Sequence, residues 1–396
     1  MKSLPRVVLL IESDRNIGRS LLRGISRYAH EHGPWAFYRE APFYEHYSWK
    51  ELLRRIRDWN PDGIILREHG PLDSELLKLE KPLIYSAHRI GPLPGVPNIL
   101  SDDAQIGALA AEHLLARGFQ HFGFCGFDDM WWSCARGEAF RKQINDAGYT
   151  VSHYSPPSAS ARRRWETEPR AMAGWLRSLP RPAAVFACTD DRNRQLVEGC
   201  KEAGLRIPEE IALLGVDNDE LVCELTSPPL SSIILNAAGA GFNAAALLDR
   251  MMRGHSTAPA LIPIPSAGVA VRRSTDLFAV SDPQLRQALR LIQQRCCARL
   301  RVEEIAKAVN LSRRVLEQRF QHHLHRPVYE EVLRLRMEEA CRLLRETELP
   351  IARIANAVGY EEQKHFTRAF QRRYGITPAG WRKIYGSVLG TGGRSL

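Results

Sequence analysis

Two hydrophobic rhythms divide this chain, and the switch between them near residue 272 limits its architecture more than any single motif. From Arg6 to Val271, short apolar runs (Val7–Ile11, Gly63–Leu66, Leu83–Tyr85, Phe122–Cys125, Ala184–Ala187 and Ile211–Val216) alternate with amphipathic stretches (Ile17–His32, Ile106–Arg117, Ala135–Ala147, Arg192–Ala203 and Ala237–Arg253). Strands that alternate with helices predict βαβ units and parallel sheets. The runs are continuous rather than alternating, as expected where helices cover both sheet faces. Some 270 residues of this pattern exceed one ordinary core and predict two α/β lobes. Pro-rich spacers at 91–97, 155–157 and 227–229 suit surface or lobe-crossing loops. After the stretch 272–283 the strand signals stop and the pattern is helical to the end. The expected fold class is therefore multidomain: a two-lobed α/β body with parallel sheets (1–272), a linker (273–284) and an all-α domain (285–390).

Charge follows the same division. Residues 1–280 carry 33 basic and 33 acidic side chains, whereas residues 281–396 carry 22 and 12. The whole excess of +10 sits in the tail, which implies a polyanionic partner for it. No segment reaches the roughly 18 uncharged apolar residues of a membrane span. Glu12 and Asp14 follow the run Val7–Ile11 at once, so it reads as a first strand rather than a secretion signal. The eight cysteines are scattered, contain no C-x-x-C pair and include the adjacent Cys296 and Cys297, a poor disulfide geometry. Small buried thiols in the reducing cytoplasm are expected.

The tail repeats itself at an offset of 49–50 residues. Ile305-Ala306, Val309-Asn310-Leu311-Ser312, Leu316 and Phe320 correspond to Ile354-Ala355, Val358-Gly359-Tyr360, Phe366 and Phe370. In each copy a small Ala allows two helices to approach. A residue tolerant of positive φ, Asn310 or Gly359, turns the chain, and a second helix buries one apolar stripe. That is the physics of a helix-turn-helix, here at about 301–321 and 350–372. The free faces of the second helices carry Arg313, Arg314, Gln318 and Gln321 in one copy, and Gln363, Lys364, Thr367, Arg368 and Gln371 in the other. These side-chain types read base edges or grip phosphates, so double-stranded DNA is the expected partner. With the run Ala355-x-x-Val358-Gly359-Tyr360, then Phe366, Phe370 and Tyr374-Gly375-Ile376-Thr377-Pro378, residues 285–385 resemble the DNA-binding domain of the AraC/XylS family. The resemblance implies two units joined by a long helix, about Pro327–Glu346, that read successive major grooves.

The body holds Arg206-Ile207-Pro208-Glu209-Glu210-Ile211, Gly215-Val216-Asp217-Asn218, Asp102-Asp103, Glu112-His113-Leu114 and Arg136-Gly137-x-x-Phe140. These pieces, taken in their order along the chain, resemble the effector-binding core of the LacI/GalR family, which is similar to periplasmic sugar-binding proteins. A sugar cleft needs charged donors and acceptors plus an aromatic platform. Asp217 and Asp190 follow strand runs and would accept hydroxyl protons, and Arg136 would donate. Trp165 is the stacking candidate, and Arg15, Asn16 and His88 would complete the site from the opposite lobe. Bland alternatives stand beside these roles: capping for the two aspartates, a surface ion pair for Arg136, core packing for Trp165. The pairing of a LacI-like body with an AraC-like tail resembles regulators of pentose use. It implies a sugar effector, D-xylose first, although arabinose, ribose or a hexose would need similar residues.

The expected function is thus a cytoplasmic, sugar-responsive transcription regulator, an activator rather than a repressor, acting as a homodimer with RNA polymerase as a further partner. The alternative class is a sugar-active enzyme with a DNA-targeting tail. No Walker loop, no G-x-G-x-x-G after the first strand and no G-x-S-x-G elbow supports it. No cofactor or metal is expected, since the adjacent rings of His322-His323-Leu324-His325 diverge on a helix end.

Overall fold

The computed structural model describes residues 4–39, 48–155, 167–255, 260–280, 282–298 and 300–385. The first lobe comprises β1 (Arg6–Leu10), α1 (Asn16–His32), β2 (Ala36–Tyr38), α2 (Trp49–Trp59), β3 (Gly63–Arg67), α3 (Pro71–Leu77), β4 (Leu83–Ser86) and β5 (Asn98–Ser101). The second holds α4 (Asp103–Leu115), β6 (His121–Cys125), α5 (Trp131–Asp146), β7 (Val151–Tyr154), α6 (Thr167–Ser178), β8 (Ala183–Ala187), α7 (Asp190–Ala203), β9 (Ile211–Val216), α8 (Glu220–Glu224) and β10 (Ser231–Leu235). The chain then returns to the first lobe for α9 (Ala237–Met252) and β11 (Leu261–Ile264) and crosses again to β12 (Ser266–Ala270). The sheet orders are β11-β5-β4-β3-β1-β2 and β12-β10-β9-β8-β6-β7. The first sheet is parallel throughout, and in the second only β12 runs antiparallel.

The six apolar runs read from the sequence coincide with central strands, whose residues are almost all buried. The strands missed include β5 and the fully buried β10, whose short apolar runs are bounded by Asn98 and by Ser231-Ser232, and the edges of the sheets. β2 is a three-residue edge strand, and β11 alternates exposed and buried residues around Pro263. α1 and α9 pack backbone against backbone. A Cβ on Gly24 would stand 1.9 Å from the Ala238 carbonyl oxygen, and one on Gly241 2.1 Å from that of Leu21. The three lobe crossings lie side by side: Asp102 N donates to Ile264 O (3.2 Å), and Asn236 N to Pro265 O (2.9 Å). Such a narrow triple connection is a hinge geometry.

The stretch expected as linker is shared between both domains. Arg273–Thr275 form a 3-10 turn stitched to the second lobe, where Ser274 Oγ donates to Leu213 O (2.6 Å). Val280 already belongs to the tail's core. The tail consists of α10 (Pro283–Arg295), α11 (Val302–Ala308), α12 (Arg313–Leu324), α13 (Val328–Glu346), α14 (Ile351–Ala357), α15 (Gln363–Tyr374) and α16 (Pro378–Tyr385). It has two cores. Leu285, Leu289, Ile305, Leu316 and Phe320 close on the first half of α13 through Val328 and Val332. Ile354, Val358, Phe366, Phe370 and Trp381 close on its second half through Met337 and Leu344. The tail touches the body at the end of α4, where Arg326 donates to Ala116 O (2.7 Å), Ala279 N donates to Arg117 O (2.8 Å) and Arg373 pairs with Glu112.

Candidate functional site

A cleft of about 60 Å³ opens between the lobes beside the hinge. Arg15, Arg67 and His88 line it from the first lobe, and Trp131, Trp132, Arg136, Thr189 and Asp217 from the second. Most follow the carboxyl ends of parallel strands, where open α/β sheets bind ligands. Asp217 leaves β9 with φ 103°, and Asn218 follows at φ 46°. Left-handed backbone at a non-glycine pair is strain that a functional site tolerates. Burial pushes the Asp217 carboxyl up to about 6, against the pull of Arg136, Arg15 and Arg67. Arg67 ends β3, and burial lowers its guanidinium from the usual value. Among the described residues neither the Asp217 carboxylate nor the Arg67 guanidinium makes a hydrogen bond, so both face the cleft with unspent capacity.

Arg136 is fixed more rigidly. Its Nε donates to Asp103 Oδ1 (2.8 Å), Nη1 to Cys188 O (2.6 Å) and Nη2 to Ser101 Oγ (3.3 Å). Its guanidinium carbon lies 4.9 Å from the centroid of Trp132, and the His88 ring lies 6.0 Å from the same indole. Burial and the neighbouring Arg67 lower His88 to about 4, so its imidazole is neutral at physiological pH. Arg15 is bound across the cleft to Asp191 (3.3 Å).

Two expected cleft residues are elsewhere. Asp190 is buried behind the cleft wall, where its Oδ2 accepts from Asp219 N (2.8 Å) and its Oδ1 occupies the space a Cβ on Gly215 would need (2.3 Å). It braces the β9–α8 turn, and burial holds its carboxyl well above the ordinary range. Asn16 is a clasp between lobes: its Nδ2 donates to Asp217 O (3.0 Å) and Asn218 O (3.1 Å), and its N–H to Asp219 Oδ2 (2.9 Å). Trp165 lies outside the described residues. Sequence reasoning missed Arg67 and Trp132. Arg67 directly follows the run Gly63–Leu66, the same signal that selected His88 after its strand, and Trp132 stands four residues before Arg136 on one helix face.

In the tail the two turns are built alike. Leu311 N donates to Ala306 O and Tyr360 N to Ala355 O, both 2.9 Å, around Asn310 (φ 55°) and Gly359 (φ 83°). Ser312 caps α12, its Oγ accepting from Val315 N. Arg313, Arg314, Gln318 and Gln321 are exposed on α12, with Arg313 paired to Glu303 (2.5 Å). Gln363, Lys364, Arg368 and Gln371 are exposed on α15, and Thr367 is half-buried. Glu317, on the same face of α12 by sequence, turns back instead and accepts from Val328 N (3.1 Å) at the start of α13. Two parallel-built units on one rigid helix present two polar, basic faces, as adjoining major grooves require.

Comparison with known proteins agrees with both halves. Residues 111–275 match the periplasmic binding protein-like domain, and residues 305–384 match a helix-turn-helix domain. The xylose operon regulatory protein of Escherichia coli (strain K12) is 28% identical over 392 residues, covering 97% of this chain and 98% of that one. Its counterpart in Haemophilus influenzae is 28% identical over 385 residues, covering 95% and 98%. The solved structure of the xylose-binding transcription activator xylR is 26% identical with a TM-score of 0.61, covering 98% of this chain and all of that one (100%). A LacI family regulator from Enterococcus faecium with bound ribose shares the body's fold, at 22% identity and a TM-score of 0.54 over 70% of this chain and 100% of that one. With a periplasmic-binding-protein-like body, a helix-turn-helix tail and end-to-end similarity to xylose operon regulatory proteins, this chain is a DNA-binding transcriptional regulator.

Proposed function

We propose that the effector is a pentose, D-xylose first, held between the lobes by Asp217, Arg67, Arg136 and Arg15, with Trp132 against its C–H face. The reading rests above all on Asp217 and Arg67, an acceptor and a donor left without protein partners in one cleft between the lobes. Both are half-buried, so water satisfies them in the empty cleft, and a ligand that replaces this water with direct hydrogen bonds to both is favoured. Similarity to proteins named for xylose supports the choice of sugar. A sugar touching both lobes binds the closed body best and so biases it toward closure. α4 carries that bias to the tail. Asp103 at its start holds Arg136, and Glu112, Ala116 and Arg117 at its end hold Arg373, Arg326 and Ala279. Closure then alters where α12 and α15 stand. Arg313, Arg314, Gln318, Gln321, Gln363, Lys364, Thr367, Arg368 and Gln371 contact the operator. A homodimer in the cytoplasm, activating transcription through RNA polymerase, completes the reading.

The test is a calorimetric panel of D-xylose, L-arabinose, D-ribose and D-glucose on the full chain, followed by fluorescence anisotropy with promoter DNA. Saturable xylose binding that raises DNA affinity supports the proposal. Binding of none of the four sugars removes the sugar reading, and binding without any change in DNA affinity removes the coupling.

A further inference from the structure

A second chemical feature lies outside the cleft. α10 ends on Cys296 and Cys297, whose Sγ atoms face one another at 3.7 Å. Both line the broad space of about 1000 Å³ between body and tail, so small reagents reach them although Cys296 is 7% exposed. The hydrogen bond shared by the two sulfurs lowers the Cys296 thiol from its usual value and raises that of Cys297. The other six thiols are raised, all by burial first. The one thiol biased toward thiolate thus has a second thiol beside it. Consecutive Cα atoms are about 3.8 Å apart, short of the roughly 4.4–6.8 Å that a disulfide ordinarily spans. A single soft atom between the sulfurs needs no such closure. Two bonds of about 2.3 Å at the ~100° angle of a pyramidal trivalent atom span roughly 3.5 Å, within a few tenths of an ångström of the distance between these sulfurs. Among the described residues no third Cys, His or carboxylate completes a metal set, so the bridging atom must bring its own remaining ligand.

We propose that Cys296-Cys297 is a dithiol modification site for trivalent arsenicals, and that occupying it weakens DNA binding. In the step, an arsenical of the form R–As(OH)2 exchanges both hydroxyls for the two sulfurs. Two As–O and two S–H bonds break, two As–S bonds form, two waters leave, and arsenic stays trivalent. The consequence for DNA follows from position. Cys297 packs against both tail cores. Arg336 of α13 joins this turn to the second unit, donating to Cys296 O (2.6 Å), Ala298 O (2.9 Å) and Gly359 O (3.1 Å). A Cβ on Gly359 would stand 2.8 Å from Cys297 O, so the two turns are in contact. A bulky group on the sulfurs disturbs this bracket and the mutual setting of α12 and α15.

The experiment treats the full chain with phenylarsine oxide, counts adducts by intact mass spectrometry, and measures anisotropy on a duplex selected from a random pool by the untreated protein. We expect one bridged adduct per chain, absent from Cys296→Ala and Cys297→Ala but kept in Cys134→Ala and Cys341→Ala. DNA affinity should fall about tenfold or more, and return with 2,3-dimercaptopropanol but not with a monothiol. Thermal melting confirms that the variants are folded. An adduct that persists in both cysteine variants, or a bridged wild-type chain that binds DNA within twofold of the untreated one, overturns the proposal. Adduct counting is independent of DNA, so failure of the site and failure of its effect are separable.

Discussion

Replacing Asp217 by Asn separates what the cleft does for the sugar from what it does to the empty protein. Asn keeps the shape and tolerates the left-handed φ of 103° as well as Asp does. It removes only the charge. In the folded chain burial pushes the carboxyl up to about 6 from the ordinary aspartate value of 3.8. At 1.36 kcal/mol per unit this means that the ionised carboxylate destabilises the empty fold by at most about 3 kcal/mol. Water reaching a half-buried side chain reduces that to roughly 1–2 kcal/mol. The sign follows from proton binding. Between about pH 4 and 6 the folded state holds more protons than the unfolded state, so stability falls as pH rises through that window and levels off above it. Asp217→Asn should therefore melt roughly 2–6 °C higher than wild type at pH 7.5 without ligand. The gap should close near pH 4, and the variant should lose the melting shift that xylose gives the wild type. Thermal melts of both proteins at pH 7.5 and 4.5, with and without sugar, measure all three. A variant less stable than wild type at pH 7.5, or one that keeps its sugar response, contradicts the cleft as described.

Further outcomes follow from other residues. Arg67→Met, which keeps the stem and removes the free donor, should weaken xylose binding at least tenfold by calorimetry while leaving the melting temperature of the empty protein unchanged or higher. Arg368→Ala on α15 should lower DNA affinity and reduce the slope of log affinity against log salt by about one, measured by anisotropy across a salt series. Gly359→Ala should destabilise the tail by roughly 1–3 kcal/mol in urea unfolding, because φ 83° suits glycine and the new methyl would stand 2.8 Å from Cys297 O. Glu331→Gln, which leaves Arg326 and Arg334 without their buried carboxylate, should remove about 3–5 kcal/mol by the same measurement.

Local rules made most of the architecture legible. A fully buried strand must be apolar on both faces, so six of the eight central strands announced themselves, whereas β5 and β10, whose short apolar runs are broken by Asn98 and by Ser231-Ser232, and edge strands such as β2 and β11 carried a weaker pattern. The repeat Ile305-Ala306…Phe320 and Ile354-Ala355…Phe370 encodes its own turn and its own buried stripe within some 20 residues. The helix-turn-helix units therefore needed no long-range information. The basic excess was likewise a property of composition alone.

The cleft was only half legible, because a residue's place there depends on how two distant lobes meet. Asp217, Asn16 and Asp190 all follow strands, yet the lobe contact sorts them into a cleft carboxylate, a clasp and a buried brace. Arg67 ends β3 and Arg136 lies inside α5, and both line the cleft, but Asp103, from a helix that begins 33 residues before Arg136, immobilises one and leaves the other free. The meeting of Cys297 with the Gly359 turn also exists only because α13 folds two sequence-remote cores onto one axis. Period, propensity and charge act over a few residues and are written in the chain. Partnership between side chains depends on packing, and packing is fixed only when the lobes and the tail have closed on one another.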